Sequence, residues 1–395
     1  MKIRGGYSQV GQVSIGPYQL QTTFNQNYGY PYSSGGGFGL GNTLVSPDLK
    51  PEITTSMETG FDLDLKKYSA SIGMTVYKSN TVNQTIPVQI SSASGFNTFL
   101  TNVGEVENKG LETYLQATPI ETSFGLSAMF RVTYTLNRNE VISLAEGTTE
   151  LNIGSLGQGR IVAKVGKPFP YVTVTKYNRT EDGRVIVNPI TGFPSTNGVY
   201  KNFGTSSPPH IVGLTSEIKY KGFRLAATAE FRTGHFIYNS VATPFDFSGA
   251  GIRTGWYNRE RFVFPNSAYE DPENPGTYID NTNVTVATGG ADFWTDGSRN
   301  TTIGENYTHS AGFWKIREIS LRYDFPKAWL SATKFIKAAS LSVQGRNLFI
   351  WVPKTNLYTD PEYSVFGTDS NAIGFTNINL TPPSRYFGGA ISLTF

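Results

Sequence analysis

Long stretches of the chain alternate apolar and polar residues with a period of two. In the segment SFGLSAMFRVTYTLN (123–137), every second residue from Phe124 to Leu136 is apolar, and those between are mostly small or polar. Side chains of a β-strand point to opposite faces in turn, so this pattern predicts a strand with two different environments. The final segment SRYFGGAISLTF repeats it, with Phe387, Ile391 and Leu393 on the apolar face.

Roughly ten such segments, each of about nine to fourteen residues, follow one another, and strands of that length can cross a bilayer at a tilt. The connections alternate in length. The short ones are 65–68, 118–123, 219–222 and the somewhat longer 324–338; the long, Gly-, Pro- and Asn-rich ones are 12–52, 80–105, 138–208, 238–311 and 351–383. Short turns on one side and long loops on the other are typical of an outer-membrane β-barrel, whose short turns face the periplasm.

A soluble β-sandwich is the alternative, because its strands alternate as well. Two features count against it. Connections of about 70 residues beside others of about four are uncommon in compact domains. Aromatic residues also stand near the strand ends on the apolar face, as the interfacial girdles of a membrane barrel require: Phe61, Phe124, Tyr134, Tyr220, Phe223, Tyr323 and Phe325. The pattern therefore favours an all-β, antiparallel transmembrane barrel.

Composition excludes several classes of function. The 395 residues carry a net charge of only +3, so no nucleic-acid partner is expected, and the absence of Cys excludes disulfides and thiolate metal sites. No run of about 18 apolar residues exists, so no transmembrane helix is expected. The N-terminal MKIRGGYSQVG has neither the apolar core nor the cleavage site of a signal peptide.

Candidate catalytic and metal-binding patterns are weak. His210, His235 and His309 match no metal-ligand spacing, and we expect solvated histidines at loop edges. Asp62 and Asp64 share a face, but alternate residues of any strand do so, which predicts a polar lumen stripe. We therefore expect no catalytic residue, no metal and no cofactor.

Two loop motifs invite a functional interpretation that their details do not support. GGGFGLGN (35–42) lacks the Lys-Ser/Thr that follows a phosphate-binding loop, so it predicts a flexible outer loop. DPENPGTYIDN (271–281) has carboxylates and carbonyls for Ca²⁺ but not the order of an EF-hand, and a turn-rich loop is favoured.

Binding residues are expected in the long loops and on the polar face of the barrel. In the loop 238–311, Trp256, Tyr257, Tyr278 and Trp294 stand among polar residues, and aromatic rings with hydrogen-bonding neighbours suit sugar rings or peptides. Packing between loops would explain these rings equally well. On the polar face, Arg131, Glu217 and Arg232 complete the candidate substrate-binding set. That face mixes both signs and predicts a hydrated, near-neutral lumen: Glu58, Asp62, Tyr77, Arg131, Glu217, Glu230, Arg232, Arg322 and Arg346.

Several motifs resemble the SusC/RagA-type TonB-dependent transporters. NVGEVENKGLETYLQATPI (102–120) is similar to a strand of that family, and LKPEITTSMETGFDLDL (49–65) to a strand of TonB-dependent receptors in general. FWKIREISLRYDFPKAWL (313–330), LSVQGRNLFIWV (341–352), TDPEY (359–363) and the final SRYFGGAISLTF follow the order of the family's C-terminal region. The resemblance covers essentially the whole chain.

The resemblance implies a barrel of 22 strands, of which this chain would supply about ten. Residues 1–395 are then the C-terminal part of a barrel domain, with the plug, the energy-coupling segment and the signal peptide absent from this chain. The same precursor or a second chain would supply the remaining barrel and plug. The implied function is active import of an oligosaccharide or peptide across the outer membrane of a Gram-negative, Bacteroidota-like cell. The implied partners are a SusD-like surface lipoprotein, the TonB complex and outer-membrane lipid.

Two other functions remain open at this point. One is a passive porin or adhesin barrel without energy coupling, and the other is a soluble β-rich carbohydrate-binding or structural protein.

Overall fold

The computed structural model describes residues 1–13, 15–18, 20–27, 37–102, 104–145, 147–295, 300–331, 335–365 and 373–395, the side chains of 27 and 87–89 excepted. Ten strands of the described ranges form one antiparallel sheet: β1 (Lys2–Gln12), β2 (Glu52–Leu65), β3 (Ala70–Val82), β4 (Glu105–Glu121), β5 (Leu126–Ser143), β6 (His210–Tyr220), β7 (Phe223–Thr233), β8 (Phe313–Asp324), β9 (Ala338–Trp351) and β10 (Tyr386–Thr394). Each strand pairs with the next one along the chain. Within the described residues, β1 and β10 are the two edges of the sheet, which is therefore an open part of a barrel.

The connections alternate in length as the sequence predicts. The tightest is between β6 and β7, where Lys221 and Gly222 both have positive φ, 44° and 89°. Two left-handed residues give a hairpin turn whose twist matches that of the strands. We call the long connections L1 (13–51), L2 (83–104), L3 (144–209), L4 (234–312) and L5 (352–385). The expected start of the third long loop at 138 is wrong, because β5 continues to Ser143 and Val141 pairs with Val106 of β4.

One face of the sheet carries two rows of aromatic side chains at opposite ends of the strands. At the short-turn end Phe223 packs on Tyr323 with ring centroids 4.5 Å apart, and at the loop end Phe231 stacks on Trp314 at 4.7 Å. About eight residues separate the rows along β7, which at about 3.4 Å per residue and a tilt of about 40° is roughly 21 Å. Exposed apolar residues fill the band between them: Phe130, Leu225, Leu321 and Val343. The predicted apolar face is confirmed.

Glycines on the polar face make room for tyrosine rings. Tyr77 of β3 lies opposite Gly110 of β4, and Tyr114 lies opposite Gly73. A Cβ at Gly110 would stand 2.3 Å from the carbonyl oxygen of Leu136 and 2.5 Å from the hydroxyl of Tyr77. The glycine of the ENKG motif is therefore needed because a backbone oxygen and a ring occupy the space of its side chain.

We expect Gly110→Ala to destabilise the barrel by about 1–3 kcal/mol, the usual cost of overpacking. The measurement is the temperature at which the full-length protein changes migration on a gel, since folded barrels migrate differently from unfolded ones. Gly5→Ala is the control, because the nearest atom to its Cβ would be the Glu58 carbonyl oxygen at 3.9 Å. Equal shifts for the two variants would contradict the steric argument.

The long loops contain sheets and helices of their own. L3 forms a four-stranded sheet of Glu150–Leu156, Gly159–Lys164, Tyr171–Thr175 and Tyr200–Thr205. Smaller three-stranded sheets have the strand orders Val185–Ile186, Ser267–Glu270, Tyr278–Asp280 and Thr308–Ser310, Phe236–Asn239, Phe375–Thr376. A further three-stranded sheet has the order Thr43–Val45, Thr98–Asn102, Thr85–Gln89, and Phe24–Asn27 pairs with Gly37–Leu40. The α-helices are Ala242–Ser248, Gly290–Thr295 and Lys327–Leu330; the 3₁₀ segments are Lys66–Tyr68, Ser92–Ser94, Ile252–Arg259, Asn300–Thr302 and Gly304–Tyr307.

Most of the hydrophobic core lies in the loops. One cluster joins Ile161 and Val172 of L3 to Tyr238 and Tyr307 of L4 and Phe375 of L5, all of them fully buried. One face of the sheet is apolar and exposed and the other is polar, so apolar burial is concentrated where loops pack on one another. For GGGFGLGN, residues 35–36 lie outside the described part, and Gly37–Leu40 is a strand rather than an irregular loop. The described helices include none with the length and apolarity to span a membrane.

Candidate ligand-binding sites

Loop L4, together with Tyr177 of L3, lines an open cavity of about 310 Å³ whose lining is mostly aromatic. Its lining residues are Tyr177, Arg253, Trp256, Tyr257, Phe262, Phe264, Pro265, Gly290, Phe293, Trp294 and Asn306. Three of the four predicted loop residues, Trp256, Tyr257 and Trp294, thus meet at one place. Trp294 is buried in the wall, whereas Trp256 and Tyr257 are about half exposed at the rim. The fourth, Tyr278, lies in a different strand, Tyr278–Asp280, opposite Glu270.

A buried arginine holds the floor of this L4 cavity. The guanidinium of Arg253 lies over the rings of Trp294 and Tyr307, 4.5 and 4.7 Å from their centroids. It pairs with the carboxylate of Asp246, which is fully buried, and donates a hydrogen bond of 2.7 Å to the carbonyl oxygen of Asn306. The positive charge of the floor is therefore balanced within the loop.

A second group of charges joins L5 to the polar face of the sheet. Lys315 of β8 contacts Asp360 and Glu362 of L5, each at 2.6 Å, and Arg317 pairs with Glu362 and Glu230. Arg232 of β7 completes the group by pairing with Glu230 and Glu362. We call these six residues the L5 charge network: Glu230, Arg232, Lys315, Arg317, Asp360 and Glu362. Three cations face three carboxylates, so the network is neutral.

The L5 charge network borders a cavity of about 600 Å³ between the polar face and the loops, lined also by His235 and Asn347. Burial alone would raise the pKa of Glu362, but hydrogen bonds from Arg317 and Lys315 outweigh it and lower the pKa to about 2. Glu362 is therefore ionised throughout the physiological range, and the network holds L5 in place.

Comparisons with known proteins show which fold this chain shares. Residues 1–178 match the family model described as TonB dependent receptor-like, beta-barrel. TonB-dependent receptor P3 of Formosa agariphila is 22% identical over 422 residues, covering 100% of this chain and 39% of that protein. TonB-dependent receptor SusC of Bacteroides thetaiotaomicron is 24% identical over 359 residues, covering 84% of this chain and 32% of that protein. The predicted resemblance to TonB-dependent receptors is confirmed.

Solved structures give the same fold. The structure of the RagAB peptide transporter superposes with a TM-score of 0.70 at 19% identity, covering 100% of this chain and 40% of the matched chain. The RagAB peptide importer in its closed-closed state gives a TM-score of 0.69. The chain thus spans about two fifths of the length of these structures, and its fold is that of part of their barrel.

In this receptor-type barrel the polar face is the lumen wall, along which the three other candidate residues are spread. The guanidinium of Arg131 lies over the Tyr114 ring, 4.7 Å from its centroid, and Glu217 pairs with Lys219 near the short turns. Arg232 stands at the loop end, in the L5 charge network. The structure does not gather these residues with the aromatic cavity, and the binding role of all seven candidates stays a prediction.

Sequence reasoning missed Lys315, Arg317, Asp360 and Glu362 as members of a site. A β-bulge at Arg317 turns its side chain to the lumen, because Ile316 pairs with Ala229 and Glu318 with Thr228. One signal was present in the sequence: the apolar-face residues of β8 are spaced by three between Ile316 and Ile319 instead of by two. The L5 partners gave no periodic signal.

The expectation of solvated histidines is wrong for His235, which is only 6% exposed. Burial and then the charge of Arg232 lower the pKa of His235 to about 4, although Glu362 opposes the shift. His210 accepts or donates a 2.9 Å hydrogen bond at Nδ1 with the hydroxyl of Tyr134. Burial also lowers the pKa of His309. Burial penalises the charged imidazolium, so His235 and His309 favour the neutral form.

Acid should destabilise the loops through His235. Below pH 6.5 the unfolded chain binds a proton that folded His235 rejects until about pH 4, so stability falls by up to about 1.4 kcal/mol per pH unit in that window. We expect a lower thermal midpoint at pH 5 than at pH 7, and a smaller difference in His235→Gln, which cannot take up the proton. Parallel pH profiles for the two proteins would contradict this.

The described residues contain no group of three or more His, Asp or Glu side chains arranged to hold a metal ion. In the candidate Ca²⁺ segment, Asp271 accepts hydrogen bonds from the backbone N–H of Glu273 and the side chain of Asn274. Its carboxylate therefore closes its own turn.

Proposed function

We propose that residues 1–395 are the C-terminal part of the barrel of an outer-membrane importer that takes up a peptide or an oligosaccharide. The observation that carries the proposal is the arrangement of ordered loops, with an aromatic cavity, above a charge-balanced lumen wall. Loops ordered by a core of their own can present a fixed binding surface. The family match and the relatives named TonB-dependent receptors support TonB as the source of energy for import.

The remaining barrel and the plug would come from the same precursor or from a second chain. The two edges of the sheet support this, because β1 and β10 offer unpaired backbone groups to further strands. A SusD-like surface lipoprotein would cover the loops, and TonB would act through the plug. The chemistry required of this chain is binding and gating, with no covalent step.

Uptake by cells that carry the full-length gene tests the proposal. Candidate peptides and oligosaccharides are supplied as the sole nitrogen or carbon source, with and without TonB. We expect growth on at least one class that requires both the full-length gene and TonB. Growth that persists without TonB would instead indicate a passive porin. A full-length protein that stays monomeric in water without detergent would contradict the membrane barrel.

A further inference from the structure

The walls of the L4 cavity are rings that hold one another in place. Tyr257 stacks on Phe262 with centroids 4.2 Å apart, and Phe262 meets Phe293 edge-on at 5.0 Å. Phe293 in turn meets Trp294 edge-on at 5.4 Å. Such offset and edge-to-face contacts fix the ring planes before any ligand arrives. A preorganised apolar cavity binds without first ordering its own side chains.

The hydroxyl of Tyr177 and the amides of Asn300 and Asn306 at the floor are already hydrogen-bonded to one another. The hydroxyl of Tyr177 donates to Oδ1 of Asn300 at 2.8 Å and accepts from Nδ2 of Asn306 at 2.7 Å. Nδ2 of Asn306 also donates to the carbonyl oxygen of Asn300 at 3.0 Å. A sugar ring would bring hydroxyl groups around its whole rim, and a buried hydroxyl without a partner is unfavourable. The floor therefore favours an apolar group over a sugar.

The charge of the lining points the same way. Of the described residues that line the cavity, Arg253 alone is charged. Its guanidinium is paired with Asp246 and covered by Trp294 and Tyr307. A charged ligand group would thus enter a largely aromatic space without a free counter-charge, which is costly. The group that fits is uncharged.

The rim is held in a strained conformation. Tyr257, Asn258 and Arg259 follow one another in the left-handed region, with φ of 53°, 55° and 62°. Residues other than glycine adopt this region rarely, and such strain is concentrated at functional sites. It sets Tyr257 flat on Phe262 and leaves Trp256 at the mouth of the cavity.

We propose, on the basis of the import function above, that the L4 cavity is an anchor subsite for one uncharged aromatic or large aliphatic side chain of an imported peptide. Its volume of about 310 Å³ is at the lower end of the range for ligand pockets and suits one side chain better than a chain segment. The peptide backbone stays outside, against Trp256 and Tyr257.

Saturation-transfer NMR on the full-length transporter in detergent tests the subsite. The probes, at equal concentrations, are N-acetyl-phenylalanine amide, N-acetyl-serine amide and a methyl glucoside. We expect transfer to the phenylalanine ring only, reduced about tenfold in Trp256→Ala, as for truncation of one aromatic anchor. Phe247→Ala is the matched control, because Phe247 is an exposed ring of L4 that does not line the cavity.

Uptake separates the subsite from the import function. Cells receive labelled Ala-Phe-Ala-Ala or Ala-Ser-Ala-Ala, and Trp256→Ala should remove the preference for the first while TonB dependence remains. If Trp256→Ala takes up both peptides in a TonB-dependent way and still prefers Ala-Phe-Ala-Ala, the subsite alone is overturned. If uptake by the parent protein does not require TonB, the import function is overturned. Stronger transfer to the glucoside also refutes the subsite. So does a Trp256→Ala variant that binds the phenylalanine probe normally but no longer co-purifies with its surface lipoprotein.

Discussion

Lys315→Met should destabilise the protein by about 3–5 kcal/mol, the cost of breaking a buried ion pair by removing one partner. The side chain of Lys315 is 5% exposed, and those of Asp360 and Glu362 are 6% and 18% exposed. Without the ammonium group, Asp360 is buried without the counter-charge of Lys315 and Glu362 keeps only Arg317 and Arg232, so L5 should detach from the lumen wall. The thermal midpoint and limited proteolysis with mapping of cuts in 352–385 measure both effects.

Lys164→Met is the matched control, since Lys164 forms an ion pair of 2.7 Å with Glu150 in which both side chains are about one third exposed. Exposed pairs contribute about 0–1 kcal/mol, so this variant should stay close to the parent protein. The double variant Lys315→Met/Asp360→Asn restores neutrality and should recover part of the loss. Equal destabilisation by Lys315→Met and Lys164→Met would show that L5 is held by other contacts.

The alternation of residues predicted the barrel strands because each strand separates two environments along its whole length. That signal fails where the environments change. At the end of β5 the sequence NRNEVIS alternates poorly, yet Val141 is fully buried because it packs with Leu151 and Ala163 of L3. The pairing that extends β4 and β5 is thus stabilised by a loop core that no local pattern reveals.

The candidate site was likewise predictable from the sequence only in part. Composition pointed to the aromatic residues of L4, and both open interpretations have a place in the structure: Trp294 packs inside the loop, whereas Trp256 stands at a cavity mouth. The L5 charge network was beyond sequence reasoning, because Lys315 and Asp360 are 45 residues apart and belong to a strand and an irregular loop. Long-range ion pairs carry no periodicity that a single sequence could show.

Asp246→Asn should destabilise L4 by about 3–5 kcal/mol, because it leaves the buried guanidinium of Arg253 without its counter-charge. Arginine does not lose its proton in proteins, so the charge remains and draws water into the floor of the L4 cavity. We expect a lower thermal midpoint and a red shift of Trp294 emission, measured against a Trp294→Phe variant.

The exposed pair of Asp182 with Arg184, 2.7 Å long and with Asp182 57% exposed, supplies the control for this second prediction. Asp182→Asn removes the same kind of contact at the surface and should leave the thermal midpoint close to that of the parent protein. The double variant Asp246→Asn/Arg253→Met removes both charges and should be more stable than Asp246→Asn alone, since the uncompensated charge is gone. A double variant as unstable as the sum of the two single changes would mean that lost packing over Trp294 and Tyr307, rather than the buried charge, dominates the cost.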